Sequence, residues 1–185
     1  FTVHIHLNFQ TQMDPLQGIN WNEVKANLNQ KGFSRINSLL SSDECQNLIN
    51  EYESPELYRS TISMERYRFG KGEYKYFKYP LPVVIQNLRE QLYAQLAPIA
   101  NRWNQMLGLD VHYPETHQQF ITECQAKNQT RLTPLILKYE TGGYNTLHQD
   151  LYGEVYFPFQ AVFMLTQQGE DHEGGEFVLV EQIPR

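Results

Sequence analysis

The chain has 185 residues, 41% hydrophobic and 19% charged, a composition that fits one folded domain and excludes intrinsic disorder. A formal charge of −6 argues against holding a polyanion by bulk charge, though it leaves room for a local basic patch. No apolar run approaches the roughly 18 residues needed to cross a membrane, no leader pattern is legible, and Cys45 and Cys124 lie too far apart in sequence for a disulfide framework or zinc cluster, so a cytoplasmic setting is expected.

Residues 1–12 alternate apolar and polar, which would place His4 and His6 on one side of an edge strand; they read equally well as vector or upstream sequence before Met13. Asn20 is expected to cap a helix over Trp21–Lys31 that Gly32 stops. Phe33–Asn37 suits a short strand, and Ser41 with Glu44 makes a capping-box pattern ahead of a helix through Leu48, Ile49 and Tyr52. After Pro80, apolar positions from Val84 to Ile99 recur at helical spacing, and Pro98 is expected to kink or divide that helix before Trp103. A further helix near Pro114 should bury Phe120, Ile121 and Cys124.

From Arg131 the pattern turns to strand. Leu132–Tyr139, a Gly142-Gly143 turn and Tyr144–His148 come first, then the aromatic run Val155–Thr166 with Pro158 as a bulge or edge. An acidic turn, Gly169–Gly175, precedes a last strand within Glu176–Ile183. Helices followed by consecutive strands predict an α+β class, with a helical part over 13–130, a strand part over 131–185 and one domain overall.

His148 and Asp150 are the sharpest chemical feature. Two residues apart in an extended segment, they project to one face, and imidazole plus carboxylate suit a borderline divalent ion. Taken alone, His-x-Asp is common by chance. Here it ends the string Lys138-Tyr139-Glu140-Thr141-Gly142-Gly143-Tyr144-Asn145-Thr146-Leu147-His148-Gln149-Asp150 and is followed by Phe163-Met164-Leu165-Thr166 and Gly174-Gly175-Glu176-Phe177.

That order resembles the 2-oxoglutarate/Fe(II)-dependent dioxygenase superfamily, in its prolyl 4-hydroxylase-like and AlkB-like members. The resemblance implies helices packed on a double-stranded β-helix (a jelly roll). It further implies Fe(II) held by His148 and Asp150, 2-oxoglutarate hydrogen-bonded by Tyr139, and O2 as oxidant. Leu137 stands where the AlkB type has an asparagine for the cosubstrate. The superfamily's second iron-binding histidine, and the basic residue that pairs with 2-oxoglutarate, lie on strands after Gly-Gly-Glu. The sequence ends before them, so a roll and ligand set incomplete at the C-terminus are expected, with His172 a solvated loop residue.

From about Leu16 the chain also resembles an uncharacterised prokaryotic oxygenase family labelled, by similarity, as acting on damaged nucleic acid. Gly70-Lys71-Gly72-Glu73-Tyr74-Lys75-Tyr76-Phe77, Ala97-Pro98-Ile99-Ala100-Asn101-Arg102-Trp103-Asn104 and Leu147-His148-Gln149-Asp150-Leu151-Tyr152-Gly153-Glu154 carry that likeness. What it implies is hydroxylation of a C–H bond: oxidative demethylation of a damaged base, or alternatively hydroxylation of an amino acid or protein side chain. The rival is a catalytically incompetent fragment with a structural role or one of self-association through open strand edges.

The segment 66–78 holds five basic residues, Arg66, Arg68, Lys71, Lys75 and Lys78, against one acid, interleaved with Tyr67, Phe69, Tyr74, Tyr76 and Phe77. Cations beside aromatic faces grip single-stranded nucleic acid, which makes Arg66, Arg68, Lys71, Tyr74, Tyr76 and, further on, Tyr144 candidate substrate contacts. The same pattern also fits a plain hairpin over 66–79 whose tyrosines and lysines divide between core and surface. Gly70 and Gly72 suit a mobile flap. His112 and His117 are expected at the surface or as capping residues, Cys45 and Cys124 as buried inert thiols, and both tryptophans as packing residues.

Overall fold

The computed structural model describes residues 16–181 apart from 132 and 152, so the expectations for His4, His6 and the end of the last strand lie outside the described residues. Local capping chemistry sets the helices. In α1 (Trp21–Lys31) the Asn20 side chain accepts from the Glu23 N–H, and Gly32, at φ +77°, closes the end by donating to the Leu28 carbonyl. Ser41 and Glu44 cap α2 (Ser42–Asn50) reciprocally.

Helix α3 (Val83–Leu107) runs unbroken through Pro98. Proline forfeits one backbone bond there, but its ring sits on the exposed side, while buried Ala97, Ile99 and Ala100 around it hold the helix against its neighbours. Helix α4 (His117–Ala126) starts three residues beyond Pro114, where Thr116 and Gln119 form a second capping box, and it buries Phe120.

The strands are β1 (Tyr58–Ser63), β2 (Gly70–Lys71), β3 (Glu73–Phe77), β4 (Leu135–Lys138) and β5 (Tyr144–Asn145). An antiparallel sheet has the order β1-β3-β4, and β2 pairs antiparallel with β5. The expected hairpin over 66–79 is therefore corrected: its arms are β1 and β3, and residues 64–72 between them form a flap docked on β5. Strands β4 and β5 are not paired with each other, because the turn at Gly142-Gly143 carries β5 away to β2.

Register sorts the side chains. Lys75 faces Thr61 and Ile136, whereas Tyr74 faces Ile62 and Leu137. One sheet face thus carries Phe77 and Ile136 into a core with Tyr52, Tyr58 and Leu81, and the other carries Tyr74, Tyr76, Leu135 and Leu137.

Three expected strands do not form. Phe33–Asn37 is irregular, as are the described residues of 155–166 and 176–181, and beyond β5 the isolated bridge found among the described residues joins Gln168 to His172. The run 155–165 nevertheless keeps a strand's alternation: Val155, Phe157, Phe159, Phe163 and Leu165 pack on the helices and sheet core, while Tyr156, Val162 and Met164 stay exposed. A strand needs a neighbour along its edge as well as a buried face, and no described segment supplies that ladder. No closed barrel or jelly roll forms among the described residues. None of their helices is long and apolar enough to cross a membrane.

Candidate metal centre and flap

The flap is anchored at its base by Met64, which is fully buried. The Met64 N–H donates to the Gly72 carbonyl at 2.9 Å, and the Met64 carbonyl accepts from Tyr67 and Phe69. At the far end Gly70 lies against β5 so closely that a Cβ would stand 2.1 Å from the Tyr144 carbonyl oxygen, at φ +143°. Only glycine allows that approach. Past β5 the Phe69 carbonyl accepts two bonds from Thr146, one from its N–H at 2.8 Å and one from its hydroxyl at 2.9 Å.

The next residues carry the expected ligands. His148 Nε2 and Asp150 Oδ1 face each other at 3.5 Å, both side chains roughly half exposed. The remaining polar atom of each is held elsewhere. His148 Nδ1 lies 2.7 Å from the Thr146 carbonyl, and Asp150 Oδ2 accepts from Gln160 Nε2 at 2.8 Å. A carbonyl can only accept, so the Nδ1 bond requires a proton there, and in the neutral imidazole it is Nε2, the atom turned toward Asp150, that is left to bind an ion. Two donors this far apart can share one ion with bonds of about 2 Å, and their nitrogen–oxygen chemistry suits ferrous iron. The donor pair therefore fits a metal. Among the described residues no third histidine, cysteine or carboxylate joins it.

Tyr139 follows β4 with its ring against Gly72, where an added Cβ would come within 2.8 Å of it. Burial raises its hydroxyl pKa, opposed by a hydrogen bond from the Asn145 side chain, so the group remains a proton donor at neutral pH.

The six expected substrate contacts divide between the flap with β5 and strand β3. Arg66, Arg68 and Lys71 are exposed on the flap, with the Arg66 guanidinium 5.8 Å from the Tyr67 ring centroid, and exposed Tyr144 pairs with Lys71. Tyr74 and Tyr76 instead lie half-buried on the sheet, edge-to-face at 5.5 Å, with the Arg59 guanidinium 4.2 Å over Tyr76. Lys75 turns to the other face, where it sits over Tyr52. Its side chain is 13% exposed, so the lysine is the inward member of that alternation.

Thr146 and Gln160 escaped the sequence reading, and Tyr67 and Phe69 entered it only as part of the aromatic–basic texture. Tyr67 and Phe69 stack at 5.8 Å with both rings about half exposed, the Thr146 carbonyl accepts from the His148 ring and Gln160 donates to Asp150. Nothing local marks a threonine or a glutamine as a ligand's support. An open depression of about 970 Å³ beside Lys25, Arg102 and His112 includes no residue of the flap or the His148 loop in its lining. Its position at the helical end separates it from this chemistry.

A half-exposed imidazole–carboxylate pair thus lies on a loop beside a glycine flap. Residues 72–185 match the model of the family Oxygenase-NA, whose description reads "Oxygenase, catalysing oxidative methylation of damaged DNA". That match covers more than half of the chain, and the chain belongs to this family. Tyr74, Tyr76, Tyr139, Tyr144, His148 and Asp150 fall inside the matched residues, while Arg66, Arg68 and Lys71 precede them.

Two uncharacterised proteins of Mycobacterium tuberculosis, one from strain CDC 1551 / Oshkosh and one from strain ATCC 25618 / H37Rv, are each 48% identical to it over 109 residues. The alignment covers 59% of this chain and 47% of each relative, so it spans about half the length of the curated relatives it matches. No solved structure matches the chain.

Proposed function

We propose that the chain carries the metal-binding part of an Fe(II)/2-oxoglutarate-dependent oxygenase, built on a double-stranded β-helix, that hydroxylates a C–H bond on a damaged nucleic-acid base. Oxidative demethylation is the outcome when that carbon is an N-methyl group. The observation that carries the reading is the geometry of His148 and Asp150: each turns one donor atom to the other and has its second polar atom tied down. When bound, ferrous iron with 2-oxoglutarate and O2 supplies the electron and oxygen chemistry that no side chain can perform. His148 and Asp150 hold the metal. The Tyr139 hydroxyl, protonated at neutral pH as a phenol ordinarily is and half-exposed, would donate to the cosubstrate.

The flap favours a nucleic-acid substrate over an amino acid or protein side chain. Arg66, Arg68 and Lys71 offer cations for phosphate, and the exposed faces of Tyr67, Phe69 and Tyr144 suit an unstacked base.

The test is succinate formation from 2-oxoglutarate by the protein extended to the length of its relatives, with Fe(II), O2 and an N-methylated single-stranded oligonucleotide. His148→Ala and Asp150→Ala should each lose about 100-fold or more, the cost of a lost metal interaction. Equal succinate from wild type and His148→Ala would remove the metal assignment. Oligonucleotide binding should fall steeply with salt, and Arg66→Ala with Arg68→Ala should flatten that slope by about one unit each.

A further inference from the structure

The two hydrogen bonds between Thr146 and Phe69 join the flap to the metal pair through very few atoms. β2 and β5 meet over two residue pairs, Gly70 with Asn145 and Lys71 with Tyr144. Beyond them the chain leaves the ladder, and Leu147 is 73% exposed. What fixes the first peptide of the His148 loop is Thr146, which donates twice to the Phe69 carbonyl, at 2.8 Å and 2.9 Å. The carbonyl of that same residue accepts the His148 Nδ1 proton at 2.7 Å. The Thr146 N–H and hydroxyl fix its Cα, and its carbonyl belongs to the next peptide. Moving the Phe69 carbonyl would therefore shift that Cα, swing the 146–147 peptide and loosen the bond that orients the His148 ring toward Asp150.

We propose that Thr146 is a positioning residue that couples the flap to His148, so that whatever holds the Tyr67–Phe69 face still also tightens the metal pair. The proposal rests on the metal reading of His148 and Asp150, and it adds a role for the flap that ion binding alone does not require. Outer-shell partners of metal-bound histidine fix its tautomer and ring direction, and their loss costs about 10- to 100-fold in metal affinity. Here the partner is a backbone carbonyl whose own orientation is set from the flap. Linkage then demands reciprocity: if the flap's state changes metal affinity, metal binding must change the flap by the same factor.

Thr146→Val keeps size and β-branching and removes the hydroxyl bond to Phe69; Thr146→Ser restores it. Mn(II) titration followed by electron paramagnetic resonance should give a dissociation constant about tenfold weaker for Thr146→Val and near wild type for Thr146→Ser. Mn(II) should slow amide hydrogen exchange across residues 69–71 in wild type and leave it unchanged in Thr146→Val. Nitrogen-15 shifts of the His148 ring, read without metal at a pH where the ring is neutral, should report the Nδ1–H tautomer in wild type and a mixture in Thr146→Val.

Wild-type affinity, flap protection and tautomer in Thr146→Val would overturn the coupling while leaving the metal reading intact. If instead wild type and His148→Ala bind Mn(II) alike, the metal reading fails. The ring shifts then decide the coupling alone: a wild-type tautomer in Thr146→Val overturns it, and a mixture upholds it.

Discussion

The ammonium of Lys75 stands 4.0 Å over the Tyr52 ring and donates to the Tyr52 carbonyl at 2.9 Å, while the Tyr52 hydroxyl donates to Glu73 at 2.7 Å. These contacts account for a lysine directed inward from a strand that reads as a basic surface, and they remove Lys75 from the set that could meet phosphate. Sequence alternation correctly placed Lys75 opposite to Tyr74 and Tyr76, but the choice of inward face depends on Tyr52, more than twenty residues away, as the hydrogen bond between them records.

His117 is a second case decided by its neighbours. Burial first, and then the positive charge of Arg89, push its pKa down to about 4, with Glu90 opposing, and the Tyr93 ring meets it edge-on at 5.6 Å. A depressed histidine is protonated more readily in the unfolded chain. Its contribution to stability is therefore complete above the ordinary value of 6.5 and is lost as pH falls from there toward about 4. Urea midpoints measured at neutral pH and near pH 5 should fall in wild type and fall less in His117→Gln. An equal drop in both proteins would assign the acid sensitivity to other groups.

At the level of elements, side-chain amides satisfy backbone that has no ladder. Asn101 accepts from the Tyr113 N–H at 2.7 Å and donates to the Tyr113 carbonyl at 2.9 Å, and Asn104 donates to the Val111 carbonyl at 2.9 Å. Gln129 does the same for the aromatic run, accepting from Glu154 N and Val155 N and donating to the Val155 carbonyl. A Cβ on Gly153 would lie 2.5 Å from that amide, so glycine gives Gln129 its place. Gln129→Ala should cost about 1–3 kcal/mol by leaving partly buried backbone groups unpaired, read as a lower urea midpoint. A change under a few tenths would show that water replaces the amide without loss.

This is also where legibility in the sequence stops. The caps of α1 and α2 depend on residues three apart and were read directly. The Thr116–Gln119 box of α4 has the same spacing and was missed in favour of a start near Pro114. The pairing of β2 with β5 could not be read, since it joins segments more than seventy residues apart through two residues each, with glycine as the visible trace. That the His148 and Asp150 side chains meet was legible because they stand two residues apart. Thr146 and Gln160 were not, because their roles arise from a carbonyl direction and from a contact across ten residues.

Across the whole molecule, the described residues after β5 have one face packed and the other bare. Phe157 sits among Tyr93, Tyr113 and Phe120, and Phe159 lies 4.7 Å from Trp103, so the helices hold the run 155–165 firmly from one side. On the other side Tyr156, Val162 and Met164 are 47–57% exposed, and Phe177, Val178, Leu179 and Val180 are 58–63% exposed. A bare apolar face on a segment that carries no strand ladder among the described residues is a surface for pairing with another chain. The expectation is self-association: sedimentation velocity should show the mean mass rising as the protein is concentrated from the micromolar range. Charge placed on this surface should oppose it, so Met164→Lys and Val178→Lys should each shift the rise to higher concentration. Neither substitution touches the inward residues Phe157, Phe159 and Phe163, so circular dichroism should stay unchanged and separate lost association from lost folding. A wild-type protein that sediments as one monomeric species at every concentration would mean that this surface is covered within the chain, and the bare-edge account of residues 155–181 would then have to be given up.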